Sequence, residues 1–219
     1  MKVGVVVFPG SNCDEDTLHV VRDVFGHPAQ LLWHKDRDLK GSDYVILPGG
    51  FAHGDYLRCG AIARFSPVME EVVAFAGRGG PVLGICNGFQ ILTEAGLLPG
   101  ALLHNAGQSF LCRDVLLRVD GSPNRFTGGL SRTATFRLPI AHMDGRYFID
   151  DEGRRRLEGE GRVLFRYADD NPNGSLAAIA GVLGEGRNVA GLMPHPERNA
   201  EPVLGNGDGR AVFAALLGS

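Results

Sequence analysis

What this sequence lacks narrows its chemistry before any motif is read. No apolar run approaches membrane-spanning length, so a membrane protein is not expected. The first residues pass straight into Lys2-Val3-Gly4-Val5-Val6-Val7-Phe8, too short and too weakly flanked for a secretory leader. An excess of positive charge is also missing. The 22 Lys and Arg face 25 Asp and Glu, and a net charge of -3 offers no footprint for nucleic acid or an anionic membrane. Cysteine is sparse. Cys13, Cys59, Cys86 and Cys112 are irregularly spaced with no C-x-x-C pair, which argues against zinc and gives no disulfide framework. No H-E-x-x-H spacing supports a metal. No G-x-x-x-x-G-K-[ST] loop is present, so ATP chemistry has to lie elsewhere. The expectation is a soluble, cytoplasmic chain with free thiols and no metal, folded as one domain over residues 1–219.

What is present has the pattern of an α/β protein. With 219 residues and 44% hydrophobic side chains, the chain can bury roughly 70% of its unfolded surface without staples. Lys2 to Phe8 reads as a strand covered on both faces. The turn Pro9 to Asp14 follows, with Ser11, Asn12 or Asp14 as candidate helix caps. Leu18, Val21 and Phe25 form a helical stripe that stops at Gly26. Further strands fit Ala29 to Trp33, Tyr44 to Leu47 and Val82 to Ile85, with a helix stop at Gly77 to Gly80. Strand, helix, strand with short glycine joints predicts a doubly wound, mostly parallel sheet with helices on both faces. The second half predicts extra, shorter strands at Val115 to Val119, Thr133 to Leu138, Val163 to Tyr167, Leu176 to Ala180 and Val189 to Met193. Asn171 to Gly174 reads as a turn. Arg154 to Arg156 reads as the solvated face of a short helix, and Gly209 to Leu217 as a final amphipathic helix.

Within that frame, Gly84-Ile85-Cys86-Asn87-Gly88 ends an apolar strand and opens a helical pattern. This is the layout of a nucleophile elbow with cysteine in place of serine. A helix N-terminus favours the thiolate of Cys86. The bland alternative, a buried cysteine in an ordinary turn, requires the rest of the chain to decide. Pro194-His195-Pro196-Glu197 supplies a base and a carboxylate to orient it. Pro196 biases His195 towards extended chain, where side chains two apart share a face. The backbone N–H of Asn87 and a second donor at Gly50 form the candidate oxyanion hole, with Gly49 allowing the loop to approach a ligand. Together these parts specify acyl transfer through a thioester from an amide or ester.

The Cys86, His195, Glu197 set, with Gly84 to Gln90 around the cysteine, resembles the class I, triad-type glutamine amidotransferases, whose fold is of flavodoxin-like type. Pro9 to Asp14, Pro48 to Phe51, Gly54-Asp55-Tyr56-Leu57-Arg58 through Ala63, Gly96 to Gly100 and Pro194 to Arg198 resemble the glutaminase subunits of phosphoribosylformylglycinamidine synthase. The resemblance implies that Cys86 attacks L-glutamine, that His195 moves the proton and that Glu197 orients it. Gln90 stands where the family holds the amino-acid end of the substrate. It also implies a large synthetase partner that uses ATP and Mg, a small bridging subunit, and no cofactor in this chain. Gly54 to Ala63 is the block that faces the synthetase by resemblance. The chain departs from the family at Ala52-His53, where Ser-Tyr is usual, and at Ala141-His142-Met143-Asp144-Gly145, where Ala-His-Gly-Glu-Gly is usual. His53 and His142 read as structural or interfacial. A free-standing cysteine hydrolase and an idle binding module are the competing expectations. Neither accounts for both an intact Cys86 and His195 and the Gly54 to Ala63 block.

Overall fold

The valine run forms β1 (Val3–Val7), with Val3, Val5 and Val6 fully buried, as a strand covered on both sides requires. The structure, a computed structural model, describes residues 1–218. After β1 the chain turns into α1 (Asp14–His19), which passes into a π turn at Val20–Val24 and ends at Gly26 with φ 69°. Leu18 and Val21 face inward, while Phe25 is half-buried. None of the expected caps acts as one. Cys13 occupies the N-cap without a side-chain capping bond, its thiol donating to Asn12 Oδ1 at 3.3 Å, and the Ser11 hydroxyl accepts the amide of Phe8 at 3.0 Å. The amides of Asn12 and Cys13 donate to the Gly49 carbonyl, so this turn is tied to a neighbouring loop.

β2 (Ala29–Trp33), β3 (Tyr44–Leu47), α2 (Pro67–Gly77), β4 (Val82–Ile85) and α3 (Asn87–Glu94) follow. β1 pairs in parallel with both β2 and β3, and β3 pairs in parallel with β4. The carboxyl ends of β1, β3 and β4 therefore share one edge, the place where parallel sheets bind ligands. An isolated bridge between Ser11 and Gly50 joins two of the loops on that edge.

The next stretch is mostly antiparallel. It contains β5 (Ala101–Leu103), β6 (Leu111–Val119), β7 (Thr135–His142), β8 (Arg146–Phe148), α4 (Asp151–Gly159), β9 (Val163–Tyr167) and β10 (Ile179–Leu183). β11 (Val189–Leu192) and α5 (Asp208–Leu217) complete the described elements. The chain divides into two compact units, one of Met1–Leu98 with Asn188–Gly191, the other of Pro99–Arg187 with the residues from Leu192 onward. Strand order is β2-β1-β3-β4-β11 in the first and β10-β9-β6-β7 in the second, with β5 and β8 paired separately.

Several strands depart from expectation: β5 and β8 were not anticipated, β6 begins at Leu111 and not at Val115, and two others are displaced. β7 runs from Thr135 to His142 and not from Thr133 to Leu138, with Phe136, Leu138, Ile140 and His142 buried in strict alternation. Pro139 obscured its second half. It is tolerated because β7 lies at the end of the strand order, where an absent N–H breaks no ladder. The expected strand at Leu176 to Ala180 begins only at Ile179. Leu176–Ala178 is a 3-10 turn in which Ala177 and Ala178 have φ 51° and 56°. Among the described residues, no helix is long and apolar enough to cross a membrane.

Candidate active site

β4 is buried throughout and delivers the chain to Cys86, and α3 starts on the next residue. Cys86 has φ 50° and ψ -105°, a conformation that a residue with a side chain occupies only when its surroundings impose it. Those surroundings are glycine contacts. A Cβ at Gly84 would lie 2.6 Å from the Gly88 carbonyl, and one at Gly88 would lie 1.9 Å from the Leu47 oxygen. Strand and helix can close on the elbow only because both side chains are missing. The Cys86 side chain is buried, and its carbonyl accepts the amide of Gln90 at 3.1 Å, closing the first turn of α3.

The loop after β3 lies against the same unit's Pro9 to Asn12 turn. Here Gly50, with φ 153°, is the glycine that makes the close approach. A Cβ on Gly50 would sit 2.7 Å from Ser11 Cα and 2.8 Å from Gly10 O. Phe51 N donates to Gly10 O at 2.8 Å, which pins the loop that carries the candidate oxyanion donor. Ala52 N donates to the Asn87 side-chain oxygen at 3.0 Å. The Asn87 amide nitrogen in turn donates to Asp55 Oδ1 at 3.1 Å and to Gln90 Oε1 at 2.9 Å. Sequence reasoning had used only the backbone of Asn87. The available signal was an amide side chain inside an otherwise apolar elbow.

In the second unit, His195 and Glu197 are paired, although not through extended chain. Pro196–Asn199 is a 3-10 turn, and His195 sits at its N-cap with φ -105° and ψ 88°. The carboxylate can only accept, so His195 Nδ1–H donates to Glu197 Oε1, at 2.5 Å. That bond leaves Nε2 as the nitrogen for proton transfer. Both side chains are almost wholly buried, at 2% and 1% exposure. His195 N donates to the Pro139 carbonyl at 2.9 Å, so the proline that hid β7 also anchors the histidine. Asn199, which sequence reasoning missed, ties the turn down by donating to Arg137 O at 2.8 Å.

His53 and His142 each make contacts inside their own unit. His53 lies edge-on to His34, with ring centroids 5.2 Å apart. His142 pairs with Asn105 Oδ1 at 3.1 Å and is pushed down to about 4 by burial and by the neighbouring His195. Met143 is partly exposed, and its carbonyl accepts the amide of Asn105. Thus Cys86, Asn87, Gln90 and Gly50 cluster within the first unit, and His195 and Glu197 within the second.

A parallel α/β sheet whose strand ends in a strained cysteine elbow, with a buried histidine–carboxylate pair elsewhere in the chain, defines the class as an α/β protein of the cysteine-elbow type. Residues 1–208 match the family model of the CobB/CobQ-like glutamine amidotransferase domain. The chain is 58% identical over 217 residues to phosphoribosylformylglycinamidine synthase subunit PurQ of Rubrobacter xylanophilus, covering 99% of this chain and 98% of that one. It is 55% identical to the PurQ subunit of Trichormus variabilis, over 99% of this chain and 97% of the relative. The structure of PurLQS from Thermotoga maritima superposes with a TM-score of 0.89 at 44% identity, covering 99% and 97% of the two chains. The chain therefore belongs to the glutamine amidotransferases of the CobB/CobQ-like type and, within them, to the PurQ family.

Proposed function

We propose that this chain is the glutaminase subunit of a phosphoribosylformylglycinamidine synthase, acting as one amidotransferase domain in the cytoplasm. The observation that carries the reading is the buried Cys86 held at positive φ between Gly84 and Gly88, in a chain that matches PurQ subunits nearly end to end. Cys86 Sγ attacks the side-chain carbonyl carbon of L-glutamine while His195 Nε2 takes the thiol proton. The tetrahedral oxyanion is held by the backbone N–H groups of Asn87 and Gly50, each worth about 3 kcal/mol in the transition state. His195 returns the proton to the leaving nitrogen, ammonia departs and a glutamyl thioester remains. Water attacks that thioester with His195 as base, glutamate is released and the thiol is restored. Glu197 keeps the imidazole in the tautomer that leaves Nε2 available and stabilises the imidazolium. Gln90 holds the amino-acid end of the substrate.

The ammonia passes to a large synthetase subunit, which uses ATP and Mg to convert formylglycinamide ribonucleotide to the amidine, with a small bridging subunit in the assembly. This chain itself needs no cofactor. The synthetase docks on the segment that follows Gly50, where Phe51, Tyr56, Leu57, Ile62 and Phe65 are exposed. The test is glutamate release from glutamine by the purified chain, alone and with the synthetase subunits, repeated with Cys86→Ala. Weak activity alone, strong stimulation by the partners and none for the variant are expected. Efficient peptide hydrolysis without a partner, or a fully active variant, overturns the reading.

A further inference from the structure

We propose that the Asn87 side chain is a positioning residue for this reaction, fixing both the orientation of the Gln90 amide and the backbone that follows Gly50. The proposal rests on the glutaminase reading above. Its starting point is a hydrogen-bond chain in which each amide has one possible orientation. Ala52 N–H can only donate, so the Asn87 atom it meets at 3.0 Å is the oxygen. The Asn87 NH2 then faces the Asp55 carboxylate, which can only accept. The same NH2 reaches Gln90 at 2.9 Å, so the Gln90 atom there is its oxygen. Gln90 is thereby fixed with NH2 as its other edge. A donor edge suits the α-carboxylate of an amino acid and is mismatched to its ammonium.

The other arm of the chain controls a strained segment. His53, Gly54, Asp55 and Leu57 have φ of 55°, 70°, 53° and 69°, a run that tertiary contacts have to impose. Both ends of α3 grip it. Asn87, the first residue of the helix, bonds Ala52 and Asp55. Glu94, the last, takes a forked bond from Arg58 at 2.6 and 2.7 Å. Asn87 is 1% exposed, so all of its bonding is internal to the protein. It follows Cys86 directly, and any shift in the proposed docking segment pulls on the residue that carries an oxyanion N–H.

Two variants test this in the assembled complex. Asn87→Asp keeps the shape and the bond from Ala52 but sets an acceptor against Asp55 and Gln90. We expect kcat to fall about 100-fold, the scale of a misplaced catalytic geometry, and KM for glutamine to rise about 10-fold. The swap Asp55→Asn with Asn87→Asp restores a donor–acceptor pair between the two positions, so kcat returns to within a few-fold of wild type. Gln90 must still turn its NH2 towards Asp at 87 and its oxygen towards substrate, so KM stays raised. Thermal unfolding establishes that the variants are folded, and the swap alone is read if the single variant is not. Wild-type KM in the swap, or kcat still depressed about 100-fold, overturns the assignment of Asn87. Absence of glutamine hydrolysis by the wild-type complex would instead remove the glutaminase reading itself.

Discussion

At Cys86 the chain is held by its backbone, and at His195 by its side chains. The elbow depends on what is missing at Gly84 and Gly88, where strand and helix come within contact of each other, and the Cys86 side chain makes no capping bond to its own helix. The histidine turn depends on groups that are present: a 2.5 Å bond to Glu197, a carbonyl from Pro139, and Asn199 bound to Arg137. The two regions should therefore fail differently. Damage to the first destroys the fold of its unit. Damage to the second leaves a folded protein without chemistry.

The largest expected effect is Gly88→Ala. The new methyl would lie 1.9 Å from a backbone oxygen in the neighbouring strand, and no rotamer change relieves that. A loss of more than about 3 kcal/mol is expected, read as loss of soluble protein or a large fall in denaturation midpoint. A folded, active variant would show that the elbow is not held by this contact. Next is Glu197→Gln, which keeps the side chain's shape and removes its charge. A kcat lower by about 10³-fold with an unchanged unfolding midpoint is the expected result in the assembled complex. A matching fall in stability would make the second region as dependent on packing as the first.

The smallest effect appears only in acid. An unfolded histidine takes up its proton near pH 6.5, whereas buried His142 does so only near 4. Stability from this group is intact above about pH 6.5 and declines as pH falls towards 4, by on the order of 3 kcal/mol at the lower limit. His142→Gln should flatten that decline in denaturant unfolding measured across pH. A slope identical to wild type would mean that another buried group governs acid stability in this unit.

How far the sequence reveals these regions follows the same division. β3 and β4 end where the apolar runs end, because strands buried on both faces write themselves as unbroken hydrophobic stretches. The cysteine elbow is legible because its glycines are part of the motif. β7 is partly hidden because a proline inside a strand is tolerated only at an edge, and edges are tertiary facts. The first half of β6 is hidden because Cys112, Arg113 and Asp114 are exposed and carry no alternation. β5 and β8, at three residues each, are too short to show a period. The His195–Glu197 pair was anticipated correctly but from the wrong backbone, since proline stiffening is compatible with a 3-10 turn as well as extended chain. The Asn87 network was invisible because Asp55 is held by positive-φ residues that no local pattern announces.

One feature of the first unit bears on how the protein is made. Its fifth strand comes from the return segment Asn188–Gly191, which holds all of β11 but Leu192, and Val82 N waits for Asn188 O, which it meets at 2.8 Å. Asn188 also donates to the carbonyls of Ala76 and Gly80, sealing the joint between α2 and β4. On a ribosome, a chain of 100 residues would carry every other strand of this unit with the flank of β4 open to strangers. The nascent enzyme must either shield that flank or delay its final closure until residues 188–191 have been made.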